Sequence, residues 1–281
     1  MHRCALHRIR ETWLRASPMN PPLDITPGAW TVFAPYGWLH GVTLLVCLVL
    51  IAAPSLLGRT LSKNAERALR HGLAAFAVAV WLAYNIWWNW RGIDWRSGLP
   101  LQLCDINGLM APFALVTGKR FARATLYFWT AALTAQAFIQ PSLIDGPAFV
   151  LFWAFWLSHT VIAACAVYDV VVRGFRPRWR DLGIAVIASL VYVALILPID
   201  LHLGADYGFV GNPPAGIVIP PFVLALGPWP QRAIVLVCLV PIGFVIVLLP
   251  WVAARVFVAQ QSAGAAPPLR SACQDGDVRR R

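Results

Sequence analysis

Apolar residues run along this chain in blocks about 20 residues long, separated by short stretches rich in Arg, Lys, Gly and Pro. A block of that length is what an α-helix needs to cross the roughly 30 Å hydrocarbon core of a bilayer, since it rises about 1.5 Å per residue. Seven such blocks are predicted as spans, over 37–57, 70–90, 99–117, 122–141, 148–172, 182–201 and 233–256. The pattern therefore predicts an all-α polytopic membrane protein, a bundle of seven transmembrane helices over 37–256. A tail precedes it over 1–36, and a polar tail over 257–281 reads as disordered.

Composition agrees with the blocks. Of 281 residues, 59% are hydrophobic and 12% charged, and the mean hydropathy is +0.66, which excludes ordinary soluble domains. Several of the 14 tryptophans (Trp38, Trp90, Trp95, Trp229, Trp251) fall near block ends, where an indole prefers the headgroup layer.

The net charge of +11 by itself would fit a nucleic-acid partner, but its distribution does not. Arg59, Lys63, Arg67 and Arg70 lie between the first two blocks, Lys119, Arg120 and Arg123 between the third and fourth, and Arg173, Arg176, Arg178 and Arg180 between the fifth and sixth. Arg255, Arg270, Arg279, Arg280 and Arg281 follow the last. The intervening loops hold only Arg91, Arg96 and Arg232. The positive-inside rule then predicts an outside N-terminus, a cytoplasmic C-terminus and location in the cell membrane, with no role for nucleic acid. Arg3, Arg8, Arg10 and Arg15 conflict with that orientation. Either translation starts at Met19, downstream of all four, or a basic outside tail is tolerated.

The polar residues inside the blocks carry the candidate chemistry, because each is costly in hydrocarbon unless it faces the bundle interior or a wet cavity. The third block, LPLQLCDINGLMAPFALVTG, holds Gln102, Cys104, Asp105 and Asn107. At about 100° per residue, Cys104, Asn107, Gly108 and Ala111 share one narrow, small and polar face. Asn85 in the second block either lines the same cavity or bonds a neighbouring helix. Gln136 and Gln140 in the fourth either hold a polar headgroup or join helices. His159 stands in the middle of the fifth block and needs a partner for its ring N–H. Asp169 reads as a surface partner of Arg173, and His40 as a solvated or interfacial histidine. Cys47, Cys165 and Cys238 read as small buried hydrophobes. None of the six cysteines has metal-site or CxxC spacing, so no metal or cofactor is expected. A Pro- and Gly-rich outer segment from about 202 to 232, containing Asp206 and Tyr207, is apolar enough to fold over the mouth of the bundle.

Taken in order, LPLQLCDINGLMAPFAL, LYFWTAALTAQAFIQPSL, FWLSHTV, ADYGFVGNPP and LGPWP resemble the YwaF family of bacterial integral membrane proteins. They also resemble its eukaryotic relative, transmembrane protein 164, a cysteine-centred acyltransferase of ether phospholipids. The resemblance runs from about 37 to 256. It implies Cys104 as nucleophile and His159 as its base, acting on membrane lipids, with a phospholipid or lysophospholipid as substrate. Where the family has an asparagine before the tyrosine of the loop motif, this chain has Asp206. More distant androgen-induced hydrolases of lipid esters pair threonine with histidine in a comparable bundle.

The residues themselves fit that chemistry. A thiol becomes a strong nucleophile when a base takes its proton, and neutral histidine is the usual base. Asn107, Gln102 and Gln136 are candidate donors to an oxyanion. Asp105 either orients the histidine or caps the helix start. One geometric tension stands: counted along the helices, Cys104 and His159 lie roughly 8 and 18 Å from the outer edge, whereas proton transfer needs about 3 Å. The sequence is thus read as a lipid acyltransferase or lipid-ester hydrolase, the alternative being a seven-helix sensor or small-solute transporter without catalysis.

Overall fold

The computed structural model describes residues 30–213 and 219–264. The proposed start at Met19 and the tail after 264 lie outside them. Among the described residues regular structure is helical, apart from one isolated bridge between Val32 and Asp145. The helices are α1 (Trp38–Thr60), α2 (Lys63–Trp88), α3 (Leu103–Thr117), α4 (Arg120–Phe128), α5 (Gln136–Ile139), α6 (Val150–Val171), α7 (Trp179–Leu203), the short α8 (Pro221–Leu224) and α9 (Gln231–Gly264). A π-helical segment, Trp129–Thr134, joins α4 to α5.

Five of these, α1, α2, α6, α7 and α9, are long and apolar enough to cross a bilayer. The other two predicted spans are realised differently. The third begins at Leu103 rather than 99, leaving a 15-residue helix. The fourth is one helical run from Arg120 to Ile139 interrupted by the π segment, and so is no single long α-helix. The last predicted span also continues beyond 256, as helix to Gly264.

Burial sorts the helices. In α6, 56% of the most apolar stretch is buried within the bundle, against 11–22% in the other four. So α6 is the central post, with α1, α2 and α3 packed on it. The outer helices turn Val42, Leu45, Leu48, Ile187, Leu195, Ile242 and Ile246 outward, an apolar exterior that suits lipid and no aqueous surface. The prolines inside α1, α3, α7 and α9 are tolerated because neighbouring helices compensate the lost backbone bonds.

Small residues set the closest approaches. A Cβ on Gly108 of α3 would lie 3.0 Å from Trp81 Cδ1 on α2 and 3.8 Å from Ile162 Cδ1 on α6. Gly118 ends α3 at φ 65°, the left-handed conformation that glycine adopts freely.

At the end of the bundle where α3 finishes, buried ion pairs tie the helices. Arg120 forks onto Asp181 at 2.7 and 2.6 Å. Arg123 binds both oxygens of Asp169 at 3.0 and 2.8 Å, with Arg173 at 3.4 Å. Asp169 is only 2% exposed, so it is a buried hub and not the surface partner predicted from its neighbourhood. His40 is likewise buried, not solvated: its Nδ1 accepts the Tyr36 N–H at 3.0 Å, which leaves Nε2–H to donate to the Phe138 carbonyl at 2.9 Å. Cys47 and Cys165 are buried, whereas Cys238 faces outward.

Candidate functional site

The site starts with a sunken helix end. Trp81 Nε1–H donates to the Asp105 carbonyl at 3.0 Å, so the first turn of α3 is level with Trp81, seven residues and therefore about 10 Å inside the outer end of α2 at Trp88. That offset runs in the direction that reduces the depth difference expected between Cys104 and His159. Gly108 faces Ile162; Cys104 lies one turn outward from the first and His159 one turn outward from the second. Both line one cavity of about 460 Å³, enclosed by α2, α3, α6, α7, α9 and the π segment. Its volume falls in the roughly 300–1,000 Å³ range of small-molecule sites, and its lining is mostly apolar with a few polar groups.

Around the sunken end, the chain before α3 is held without regular structure. Gln102 N–H donates to Asp105 Oδ2 at 3.2 Å, closing the helix start. Of the two roles open to Asp105, this geometry gives it the cap. Gln102 Oε1 accepts the Gly208 N–H at 3.0 Å and thereby latches the outer loop onto α3. Gly208 sits at φ 66°, and a Cβ there would come within 2.7 Å of the Tyr192 hydroxyl. Tyr192 in turn donates to the Leu101 carbonyl at 2.9 Å. Phe209, Val210 and Phe222 complete the lining from the loop side.

His159 is 9% exposed. Its Nδ1 lies 2.7 Å from the Phe155 carbonyl, and a carbonyl only accepts, so Nδ1 carries the proton. The other nitrogen, Nε2, has no hydrogen-bond partner among the described residues. Phe155 also stacks on the ring at 4.4 Å between centroids. A peptide carbonyl one turn back on α6 thus orients the imidazole, a task a triad would assign to a carboxylate.

The remaining predicted residues divide. Gln102, Gln136 and Gln140 line the cavity together with Asp105. Asn107, Asn85 and Tyr207 do not. Asn107 is fully buried, and its Nδ2 donates to Thr130 Oγ1 at 3.1 Å and Thr134 Oγ1 at 3.2 Å. Both of its N–H groups are therefore engaged, which removes it as an oxyanion donor. Asn85 donates to the Trp81 carbonyl of its own helix at 2.9 Å. Tyr207 is a loop pin: its hydroxyl donates to the Trp95 carbonyl at 3.0 Å and accepts the Leu99 N–H at 3.1 Å. Burial pushes that hydroxyl up to about 12, so it stays protonated. Burial likewise raises the Asp206 carboxyl, against the pull of Arg232 at 3.6 Å.

Residue-by-residue reading missed Thr134, Tyr84 and Ser158, which line the cavity. Thr134 lines it together with Cys104 and also accepts from Asn107. The bond from Ala135 N–H to the Thr130 carbonyl at 2.9 Å is the i to i−5 closure of a π turn. It brings Thr130 and Thr134 together onto Asn107. Such turns recur at functional sites. The signal available in the sequence was the Thr130–Thr134 spacing, one helical turn, inside an otherwise apolar run opposite Asn107.

The TMEM164 family model matches residues 35–248. The chain belongs to the TMEM164 family. An uncharacterized protein of Treponema pallidum (strain Nichols) is 28% identical over 204 residues, covering 68% of this chain and 81% of that one. No solved structure matches. The stretch that places the chain among TMEM164 proteins contains Cys104, His159, the π segment and every residue named in the cavity. With its long apolar helices, family membership makes this a multi-pass membrane protein.

Proposed function

We propose that this TMEM164-family protein is a lipid acyltransferase or lipid-ester hydrolase of the cell membrane, with Cys104 as nucleophile and His159 as general base. The observation that carries the reading is the shared cavity, which a thiol from α3 and an imidazole from α6 both line among apolar walls, with Nε2 left open. The reading includes seven membrane crossings with the N-terminus outside, α3 and the α4–π–α5 run supplying the two short ones.

In the first half-reaction the thiol proton passes to His159 Nε2 while Sγ bonds to the ester carbonyl carbon. The tetrahedral oxyanion collapses, the ester C–O bond breaks, and the leaving alcohol oxygen takes the proton from Nε2. An acyl thioester remains on Cys104. A lysolipid hydroxyl or water then attacks the thioester, giving its proton to Nε2, which returns it to the departing sulfur. Gln102 and Gln136, which line the cavity, are the amide donors of this reading for the oxyanion, each worth about 10²-fold.

The test is labelling in native membranes with a long-chain lipid-like electrophile. A background with Cys4→Ala, Cys238→Ala and Cys273→Ala removes the outward-facing Cys238 thiol and the two thiols outside the described residues. Labelling is expected to vanish in Cys104→Ala and to fall about 10²-fold or more in His159→Gln. Labelling that survives both substitutions sinks the catalytic reading and leaves a sensor or transporter.

A further inference from the structure

At the end of the bundle opposite Cys104 is a second cavity, about 570 Å³, between the last turn of α1, the first turns of α2 and the chain following α6. Five cations line it, Arg59, Lys63, Arg67, Arg70 and Arg173, against one carboxylate, Glu66. Glu66 is already occupied, by Arg70 at 3.3 Å and by the Tyr168 hydroxyl at 3.0 Å. Arg70 and Arg173 also donate to the last carbonyls of α3, at Leu115 and Ala114. Arg59, Lys63 and Arg67 have no acceptor among the described residues.

All three are exposed, and no carboxylate of the described residues pairs with them. Lys63 and Arg67 occupy the first turns of α2, where the helix dipole already presents positive charge. The Ser62 side chain makes no cap there, so the first N–H groups of α2 are not taken up by a side chain. Like charges gathered on a helix N-terminus become favourable once an anion with several acceptor oxygens lies among them. The cavity is too large for a bare ion alone, and Leu56 and Leu57 beside it are exposed as lipid-facing side chains are.

We propose that this cavity binds a phosphate group, carried by a lipid headgroup or by a free phosphate species. The proposal is independent of the catalytic reading, since it uses none of the residues around Cys104.

The test uses the full chain purified in detergent. Retained lipid is counted by native mass spectrometry after incubation with mixed micelles of phosphatidylcholine and phosphatidic acid, and thermal unfolding is followed with and without inorganic phosphate. A triple variant, Arg59→Gln, Lys63→Gln and Arg67→Gln, removes the unpaired cations. A control triple, Lys119→Gln, Arg178→Gln and Arg180→Gln, removes equal exposed charge elsewhere at the same end. Selective retention of phosphatidic acid by the natural chain, falling about tenfold or more in the first triple and not in the control, establishes the headgroup form. A rise in unfolding temperature with inorganic phosphate, lost in the first triple alone, establishes the free form. No selectivity for either ligand, or equal loss in both triples, overturns the site. Should the triple fail to fold, the single variants Arg59→Gln and Arg67→Gln carry the same comparison.

Discussion

Replacing Gly108 by alanine tests the packing that brings α3, α2 and α6 together. The added Cβ would sit 3.0 Å from Trp81 Cδ1, well inside the 3.5–4.0 Å optimum for carbon atoms, so roughly half an ångström must be found. Rotating the indole is the simplest relief, but Trp81 Nε1–H is held on the Asp105 carbonyl at 3.0 Å. Moving the ring breaks that bond and leaves a buried donor, at about 1–3 kcal/mol. Moving α2 away opens the cavity wall at similar cost. Gly108→Ala is therefore expected to destabilise by about 1–3 kcal/mol. It should also slow electrophile labelling of Cys104, one turn away. Thermal and denaturant unfolding of the detergent-solubilised protein measure the first effect. The decisive comparison is a double-mutant cycle with Trp81→Leu, which removes the clashing ring and the hydrogen bond together. In that background Gly108→Ala should cost about 1 kcal/mol less than in the natural chain. A neutral Gly108→Ala, or strict additivity with Trp81→Leu, would refute this account of how α3 is seated.

Two further expectations concern the two ends of the bundle. Asp169→Asn leaves Arg123 and Arg173 without their buried carboxylate and is expected to cost about 3–5 kcal/mol in unfolding experiments, far more than a surface pair would. Tyr207→Phe removes the bridge between Trp95 and Leu99 and is expected to cost about 1–3 kcal/mol, with faster proteolysis between 89 and 102. The same substitution has a pH signature. Burial raises the Tyr207 hydroxyl from 10.0 in the open chain to about 12 in the fold. The native state therefore holds a proton the unfolded chain loses, and stability declines as pH climbs from about 10 to about 12. Tyr207→Phe should flatten that part of the decline, and an unchanged slope would count against the buried hydroxyl.

Much of this molecule was legible in the order of its residues. Hydrophobic blocks of span length, and the cost of placing Cys104 and His159 inside such blocks, follow from transfer free energies that act on each residue where it stands. What hydropathy could not convey is how a block is used. The third one reads as a full span from 99, yet its helix starts at Leu103 and is sunk beside Trp81, because Tyr192 and Tyr207 satisfy the preceding backbone from other parts of the chain. The fourth reads as uniform, yet it contains a π turn that a window average cannot detect.

The polar residues divide for the same reason. Sequence alone marked Asn107 and Gln136 as costly in lipid and read His40, Asp169 and Tyr207 as interfacial, surface and outer-loop residues, from the side chain and its position along the chain. Tertiary structure decided what each one meets: Thr130 and Thr134 at the Asn107 Nδ2, Phe138 at His40, Arg123 at Asp169, the Leu99 amide at Tyr207, and open cavity at Gln136. A hydrogen bond depends on a few tenths of an ångström and on the rotation of two helices about their axes. Those are set by the packing of small residues such as Gly108 between neighbours, and no single strand of sequence carries that information.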